Sequence, residues 1–110
     1  TSLSKNIEFK SILGGKKIAN KYFTIFFKKI EGKDRKKLNI SFIAKKKIGN
    51  AVERNKIKRR LRNITNYICN EKIINLDFSY LIIAKRIILD ADYNKLRNSF
   101  LFEFKKTNFR

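Results

Sequence analysis

The sequence contains few acids and lacks several residue types altogether. Of its 110 residues nine are Asp or Glu, against 28 Lys and Arg, and His, Pro, Met and Trp do not occur. With a single cysteine, Cys69, the chain can form no disulfide within itself, and without His it lacks the usual ligands of a zinc site. The acids form no paired or clustered carboxylates, so a protein-based site for phosphodiester hydrolysis is hard to build from them.

Long apolar runs are also missing. No stretch approaches the roughly 18 apolar residues that a membrane-spanning helix needs. The first residues, TSLSKNIEF, lack the apolar centre of a secretory signal. We therefore expect a protein of a reducing cytoplasm that has no membrane partner.

The chain nevertheless has enough apolar residues for a core. Hydrophobic residues make up 43% of it, including ten Phe and four Tyr, which predicts one folded domain spanning residues 1–110. The net charge of +19 is unusual for a domain of this size. It indicates a polyanionic partner, with nucleic acid as the first interpretation and an anionic membrane surface or an acidic protein as alternatives.

The first half of the chain predicts a helix followed by two strands. Residues 4–15, SKNIEFKSILGG, have apolar residues at helical spacing. Segments 21–29 and 38–44 alternate in the manner of strands, and the charged connection 31–37 between them predicts an antiparallel hairpin. The first strand should direct Phe23, Ile25 and Phe27 to the core and Tyr22, Thr24 and Phe26 away from it, and the second should direct Leu38, Ile40, Phe42 and Ala44 inward.

The second half predicts helix, strand and helix. A turn at Gly49 and Asn50 precedes a helix from about Ala51, and segment 78–84, FSYLIIA, is the most apolar strand and is expected at the centre of the sheet. Asp90 or Asp92 can cap the last helix. The predicted apolar faces are Ile57, Leu61, Ile64 and Ile68 on the first of these helices and Tyr93, Leu96, Phe100 and Phe104 on the second.

The helix in the middle of the chain carries most of the functional information. Residues 45–63, KKKIGNAVERNKIKRRLRN, contain nine Lys and Arg and one acid, Glu53. Like charges four residues apart, such as Lys58 and Arg62, destabilise a helix by about 0.2–0.5 kcal/mol per pair. A phosphate backbone offsets that repulsion and releases its counterions. We therefore predict that this helix presents a nucleic-acid-binding face; its chemistry leaves DNA and RNA equally open.

Residues 46–62, KKIGNAVERNKIKRRLR, strongly resemble the signature of the bacterial ribonuclease P protein subunit, whose core is an Arg-Asn-Arg motif on a helix. Residues 8–13 are similar to the first helix of that family, residues 16–27 to its first strand and residues 80–86 to its last strand. The resemblance covers essentially the whole chain.

The predicted order of helices and strands indicates an α+β fold, and the resemblance implies the same class. It has three helices packed with a small mixed sheet of about four strands, in the order helix, strand, strand, short strand, helix, strand, helix. A parallel pair of strands is joined through the motif helix by a left-handed crossover, against the general rule that such connections are right-handed.

The resemblance also implies a function and its partners. The protein would assist a catalytic RNA of the bacterial cytoplasm, the ribonuclease P RNA, in cutting the 5′ leader from precursor tRNA, and would need no protein partner. The RNA, with bound Mg²⁺, would perform the hydrolysis, and the protein itself would hold no cofactor or metal. The positions matched to the ribozyme contact are Lys46, Lys47, Asn50, Arg54, Asn55, Lys56, Lys58, Arg59 and Arg62. The positions matched to a leader cleft between the first helix and the sheet are Phe9, Thr24, Phe26 and Lys45.

The sequence departs from the family pattern at three positions. Lys56 stands where the motif has its second Arg and keeps the charge without the bidentate fork. Lys45 replaces a residue that is commonly small, and Leu13 replaces a frequent aromatic. Two alternatives stay open: Phe9 and Phe26 could simply pack together under the first helix, and the chain could be a general RNA-binding or ribosomal protein.

Overall fold

The computed structural model describes residues 14–29, 38–70, 73, 74 and 76–107. The predicted N-terminal helix, with Phe9 and Leu13, and the predicted connection 31–37 lie outside these residues. The described elements are β1 (Lys16–Ala19), β2 (Phe23–Lys29), β3 (Asn39–Ile43), a 3₁₀ turn (Lys46–Ile48), α1 (Ala51–Asn70), β4 (Phe78–Ala84), a second 3₁₀ turn (Arg86–Leu89) and α2 (Tyr93–Thr107).

The four strands form one mixed sheet in the order β1-β2-β4-β3. Strand β4 lies at its centre, as predicted from its apolar sequence, with β2 antiparallel on one side and β3 parallel on the other. The predicted hairpin of β2 with β3 is wrong, because β2 pairs instead with β1 and β4. A strand that is apolar on both faces is buried best between two neighbours, so β4 separates β2 from β3.

The parallel pair β3 and β4 is joined through α1, as the resemblance implies. The short strand is β1, at the start of the sheet, and not the strand before α1. The left hand of the crossover stays a prediction. Because a parallel pair needs a long connection, this topology fixes α1 across the sheet and gives it one face to bury.

The core lies between one face of the sheet and the two helices. The whole predicted stripe of α1 is fully buried, as are Phe23, Ile25 and Phe27 of β2. On α2 the buried apolar residues are Leu96, Phe100 and Phe104. The side-chain oxygen Oδ2 of Asp92 caps this helix by accepting a hydrogen bond from the Lys95 N–H at 3.0 Å. The apolar faces of both helices are therefore confirmed, except at Tyr93.

Two tyrosines depart from the predicted pattern. Tyr93 is 38% exposed because it is the first residue of α2, where the helix leaves the sheet. Tyr22, expected on the far side of the sheet, is only 5% exposed and belongs to the core. It precedes β2, within the turn whose carbonyl accepts the Lys85 N–H at 2.9 Å, so strand alternation does not reach it.

Asn20 ties the β1–β2 turn to α2. Its Oδ1 accepts the backbone N–H groups of Tyr22 and Phe23 at 2.8 and 3.0 Å. Its Nδ2 donates to Ser99 Oγ at 2.9 Å and to the buried Glu103 at 3.1 Å. One side chain thus shapes the turn and holds the antiparallel half of the sheet against the last helix.

Candidate nucleic-acid interface

The basic helix begins at a reciprocal cap. The Asn50 N–H donates to Glu53 Oε1 at 3.0 Å, and the Glu53 N–H donates to Asn50 Oδ1 at 2.9 Å. This is a capping box with Asn in the place of Ser or Thr, and it satisfies backbone N–H groups that a helix start leaves free. The cap confirms the predicted start at Ala51 and places the exposed Lys46 and Lys47 just ahead of the helix.

Glu53 and Arg86 fix this segment to the end of β4. Arg86 Nη2 lies 2.9 Å from Glu53 Oε2, and Arg86 Nη1 donates to the Ile48 carbonyl at 2.7 Å. The hydrogen bond from Arg86, followed by the one from the Asn50 N–H, lowers the pKa of the Glu53 carboxyl, and the same contact raises the pKa of Arg86. The one acid of the basic run is therefore engaged in positioning the loop.

Gly49 lies directly against this ion pair. A Cβ at this position would lie 2.8 Å from Glu53 Oε1 and 3.0 Å from Arg86 Nη1. A side chain here would therefore have to shift the ends of the Glu53 and Arg86 side chains and so disturb the cap and the ion pair. Neither this contact nor Arg86 was anticipated from the sequence; the lone acid in a basic run was the only signal for it.

Along one flank, α1 contacts the second 3₁₀ turn and α2. Arg60 Nη1 donates to the carbonyls of Ile88 at 2.6 Å and Leu89 at 3.1 Å, and Nη2 donates to the Ala91 carbonyl at 2.6 Å. Farther along, the Arg97 guanidinium lies over the Tyr67 ring, 5.1 Å from its centroid. Arg60 is thus one of the nine basic residues of the run, yet it serves the fold.

The opposite flank and the outer surface of α1 carry the predicted ribozyme contacts. Arg54, Lys58 and Arg62 follow one another at four-residue spacing and form a row on the side of β3. Asn55 and Arg59 are exposed on the outward side, about 160–200° around the helix from the buried Ile57. The fold therefore brings most of the predicted set together.

Lys56 is separated from that row. It lies about 100° from Ile57 in the other direction, on the side of Arg60, and is exposed. Within the described ranges, no carboxylate lies at ion-pair distance from Lys58, Arg59 or Arg62. The row therefore keeps its positive charge uncompensated by the described part of the chain.

A second surface lies on the face of the sheet opposite the core. Thr24 and Phe26 are half-buried there, and Phe26 packs with the fully buried Leu81. Strand pairing places Lys17 beside Phe26, and its Nζ lies 5.8 Å from the centre of the ring. We call this surface, made of Lys17, Thr24, Phe26, Ile43 and Ile83, the aromatic–lysine face.

Of the other two predicted leader contacts, Lys45 is exposed and follows the end of β3 by two residues. Phe9 lies outside the described residues. Lys17 was missed by sequence reasoning because its neighbour is set by the β1–β2 register, which the sequence did not reveal.

Potential metal, redox and membrane sites were also considered. In the described part of the chain, no three His, Cys, Asp or Glu residues lie close enough together to hold a metal ion. Cys69 is a free thiol packed against the core, and burial raises its pKa. None of the described helices combines the length and apolar character that crossing a bilayer requires.

Comparison with known proteins places this arrangement in a family. The model of the Ribonuclease P family matches residues 1–108. The ribonuclease P protein component of Listeria monocytogenes serotype 4b is 34% identical over 104 residues, covering 94% of this chain and 84% of that protein. That of Carboxydothermus hydrogenoformans is 34% identical over 105 residues, covering 94% and 87%.

Solved structures agree with the sequence comparison. A ribonuclease P protein from Thermotoga maritima superimposes with a TM-score of 0.79 at 28% identity and covers 96% of both chains. The Staphylococcus aureus ribonuclease P protein superimposes with a TM-score of 0.70 at 26% identity, covering 97% of this chain and 94% of that one. The chain therefore belongs to the ribonuclease P protein family.

Proposed function

We propose that this protein docks on the catalytic RNA of ribonuclease P through the basic row of α1 and holds the 5′ leader of precursor tRNA on the aromatic–lysine face. The observation that carries the proposal is the placement of two surfaces on opposite sides of the sheet: a cationic row on α1 that no described carboxylate neutralises, and an aromatic ring with a lysine on the far face. One protein can then bind two RNA segments at once.

The basic row is suited to phosphates. Arg54 and Arg62 of the row, and Arg59 on the outward side beside it, each offer a planar fork that can bind a phosphate through two hydrogen bonds. Exposed Asn55 adds an amide for a sugar or backbone oxygen. Lys46 and Lys47 extend the charge beyond the helix start. Each phosphate contact releases counterions, so the affinity should depend steeply on salt.

The aromatic–lysine face is suited to single-stranded RNA. Stacking of a base on an aromatic ring contributes about 1–3 kcal/mol and tolerates any base, as a leader of varying sequence requires. Lys17, which lies over the Phe26 ring, and exposed Lys45 supply charge for the leader phosphates. Thr24 adds a hydroxyl beside them.

We assign the hydrolysis to the RNA and its bound Mg²⁺, in the bacterial cytoplasm, and assign the protein only binding roles. The sequence has no His and nine acids among 110 residues. Of those acids, Glu53 is held by Arg86 and Asn50, and Glu103 lies between Asn20 and Lys106. These two carboxylates serve the fold.

The first experiment is cleavage of a precursor tRNA by a bacterial ribonuclease P RNA at limiting Mg²⁺, with and without the protein. We expect the protein to restore cleavage at the leader junction and to cleave nothing alone. Binding to the RNA without any change in cleavage would instead indicate a general RNA-binding protein. Cleavage by the protein alone would overturn the assignment of chemistry to the RNA.

Phe26→Ala tests the leader contact. With the holoenzyme, the variant should weaken precursor tRNA binding by about fivefold or more and leave mature tRNA binding unchanged, because only the precursor carries a leader. Phe102→Ala, which removes an exposed ring on α2, is the matched control. Equal losses for precursor and mature tRNA would remove the leader from the aromatic–lysine face.

A further inference from the structure

A groove opens between α1 and the edge strand β3, on the core side of the sheet. Its volume is about 420 Å³, within the range of small-molecule sites in proteins. The strand side is formed by Ser41 and by the apolar side chains of Leu38, Ile40 and Phe42, which make its floor, and Arg62, Thr65 and Asn66 line the helix side. Among the described strands, β3 has a neighbour on one side only, so the groove faces outward there.

The polar side chains of the groove differ in what they can offer. The Thr65 hydroxyl donates to the Leu61 carbonyl of its own helix at 2.8 Å and is therefore occupied. Arg62 and Asn66 are exposed, and neither makes a hydrogen bond or an ion pair within the described residues. The groove thus presents one cation and one amide above a hydrophobic floor that includes an aromatic ring.

We propose that this groove holds one unpaired nucleotide of the RNA bound by α1, with the base against Phe42 and Leu38, the Asn66 amide on the base edge and Arg62 on the phosphate. An amide both donates and accepts, which matches the edge of a base, and the ring gives a stacking surface. Arg62 belongs at once to the groove and to the basic row, so a strand following the row passes the groove mouth.

The charge of the surroundings favours a nucleotide over other occupants. An extended peptide could pair with the edge of β3, but its backbone is uncharged and only an acidic side chain at the right position would match Arg62 and the neighbouring Lys58, whereas every nucleotide carries a phosphate. A duplex could place phosphates on the row, but its stacked bases could not enter the groove. The proposal rests on the proposed RNA-binding function and adds to it a site that distinguishes unpaired from paired RNA.

The first test uses the free protein labelled with ¹⁵N. Adenosine and uridine 5′-monophosphate are added at millimolar concentration, with ribose 5-phosphate as the probe that lacks a base. The nucleotides should shift the Asn66 side-chain amide and the Phe42 backbone N–H, and ribose 5-phosphate should shift neither to the same extent. Equal shifts with all three probes would show a phosphate site at Arg62 only, and absence of shifts would leave the groove to another occupant; either result overturns the proposal.

The second test uses the complex with ribonuclease P RNA. Asn66→Leu should lower the affinity about threefold to tenfold while leaving the slope of log affinity against log salt unchanged, because no charge is lost. Asn98→Leu, the same change at an exposed position of α2, is the control. Phe42→Leu, which keeps an apolar floor without the ring, should act in the same direction if its melting temperature is native. Affinities equal to that of the control overturn the proposal.

These tests separate the groove from the proposed function. The nucleotide titration requires no ribozyme, so failure of the cleavage experiment leaves its result standing. Conversely, the protein could stimulate cleavage while the nucleotides leave the Asn66 and Phe42 signals unshifted. That result would support the proposed function and contradict the nucleotide site in the groove.

Discussion

Arg60 and Arg62 lie two residues apart on the same helix and have opposite surroundings. Arg60 reaches three carbonyls between Ile88 and Ala91 at 2.6–3.1 Å, whereas Arg62 makes no hydrogen bond within the described residues and lines an open groove beside β3. The side chains are chemically identical, and the run around them is uniformly basic. Charge density along the sequence therefore predicts a binding face, but it does not show which basic residues of the run belong to that face.

What decides between the two arginines is the element that passes next to each flank. On one flank the second 3₁₀ turn and the residues between it and α2 present three backbone carbonyls to Arg60. On the other flank β3 presents its apolar side chains and leaves a groove. A guanidinium carries five donors, so it can satisfy several carbonyls or several phosphate oxygens equally well.

The largest effect is expected at the buried apolar stripe of α1. Ile64→Asp places a charge where the side chain is fully buried, which should destabilise the domain by about 4–5 kcal/mol or more and unfold it. Circular dichroism during thermal melting measures this. The control Asn63→Asp adds the same charge at the exposed neighbouring position. A native melting temperature for Ile64→Asp would show that the stripe is not buried.

Arg60→Met should weaken the contact between α1 and the second 3₁₀ turn. It keeps an unbranched apolar stem but removes the guanidinium and its three hydrogen bonds to carbonyls, and we expect a loss of about 2–3 kcal/mol in the free energy of unfolding. Arg59→Met, at an exposed position, should change the stability little. Once folded, the Arg60 variant should retain the salt dependence of RNA binding; a flatter slope would place Arg60 in the RNA interface.

The double substitution of Arg59 and Arg62 by Ala should weaken RNA binding and leave the fold intact. Affinity for ribonuclease P RNA should fall roughly tenfold at moderate salt. The slope of log affinity against log salt should decrease in magnitude by about 1.5–2, because the loss of two phosphate contacts reduces the number of counterions released on binding. The melting temperature should stay near native, since both residues are exposed. An unchanged slope would argue against a docking role for these two residues.

The smallest effect is expected on the pH dependence of stability, from Glu53 in the cap at the start of α1. Its pKa in the folded protein lies below the ordinary 4.5, so the stability it contributes is present above that value and is lost as the pH falls through the lower, folded pKa. Melting temperatures measured from about pH 6 to about pH 3 should fall less steeply in Glu53→Gln than in the unsubstituted protein. Arg86→Met should reduce the same dependence. Parallel curves for all three proteins would contradict the assignment.

Periodicity was sufficient for most of the fold. The buried stripe of α1 and the apolar face of α2 were predicted from spacing alone, because a helix turns by a fixed angle per residue and must bury its apolar side. The central position of β4 followed from its uninterrupted apolar sequence. The partner of β2 was mispredicted, since strand pairing is decided between segments that are distant in sequence, and local patterns do not encode it.

The residues of the candidate site likewise divide into those that were predicted from the sequence and those that only the structure revealed. The basic row was visible in the spacing of Arg54, Lys58 and Arg62, and the start of the helix was visible at Gly49 and Asn50. The resemblance to a family supplied Thr24 and Phe26, but their neighbour Lys17 appeared only with the register of β1. The role of Arg60 depended on carbonyls that lie 28–31 residues farther along the chain.

By itself, the sequence determined the α+β class of this basic chain and its cationic helix, because composition, charge and periodicity are properties of the chain that do not depend on what lies next to what. Only the tertiary structure decided which cations face carbonyls and which face solvent, which lysine lies over Phe26 and where a groove opens beside β3. These are outcomes of packing between segments, and hydrogen bonds and ring contacts act over only a few ångströms.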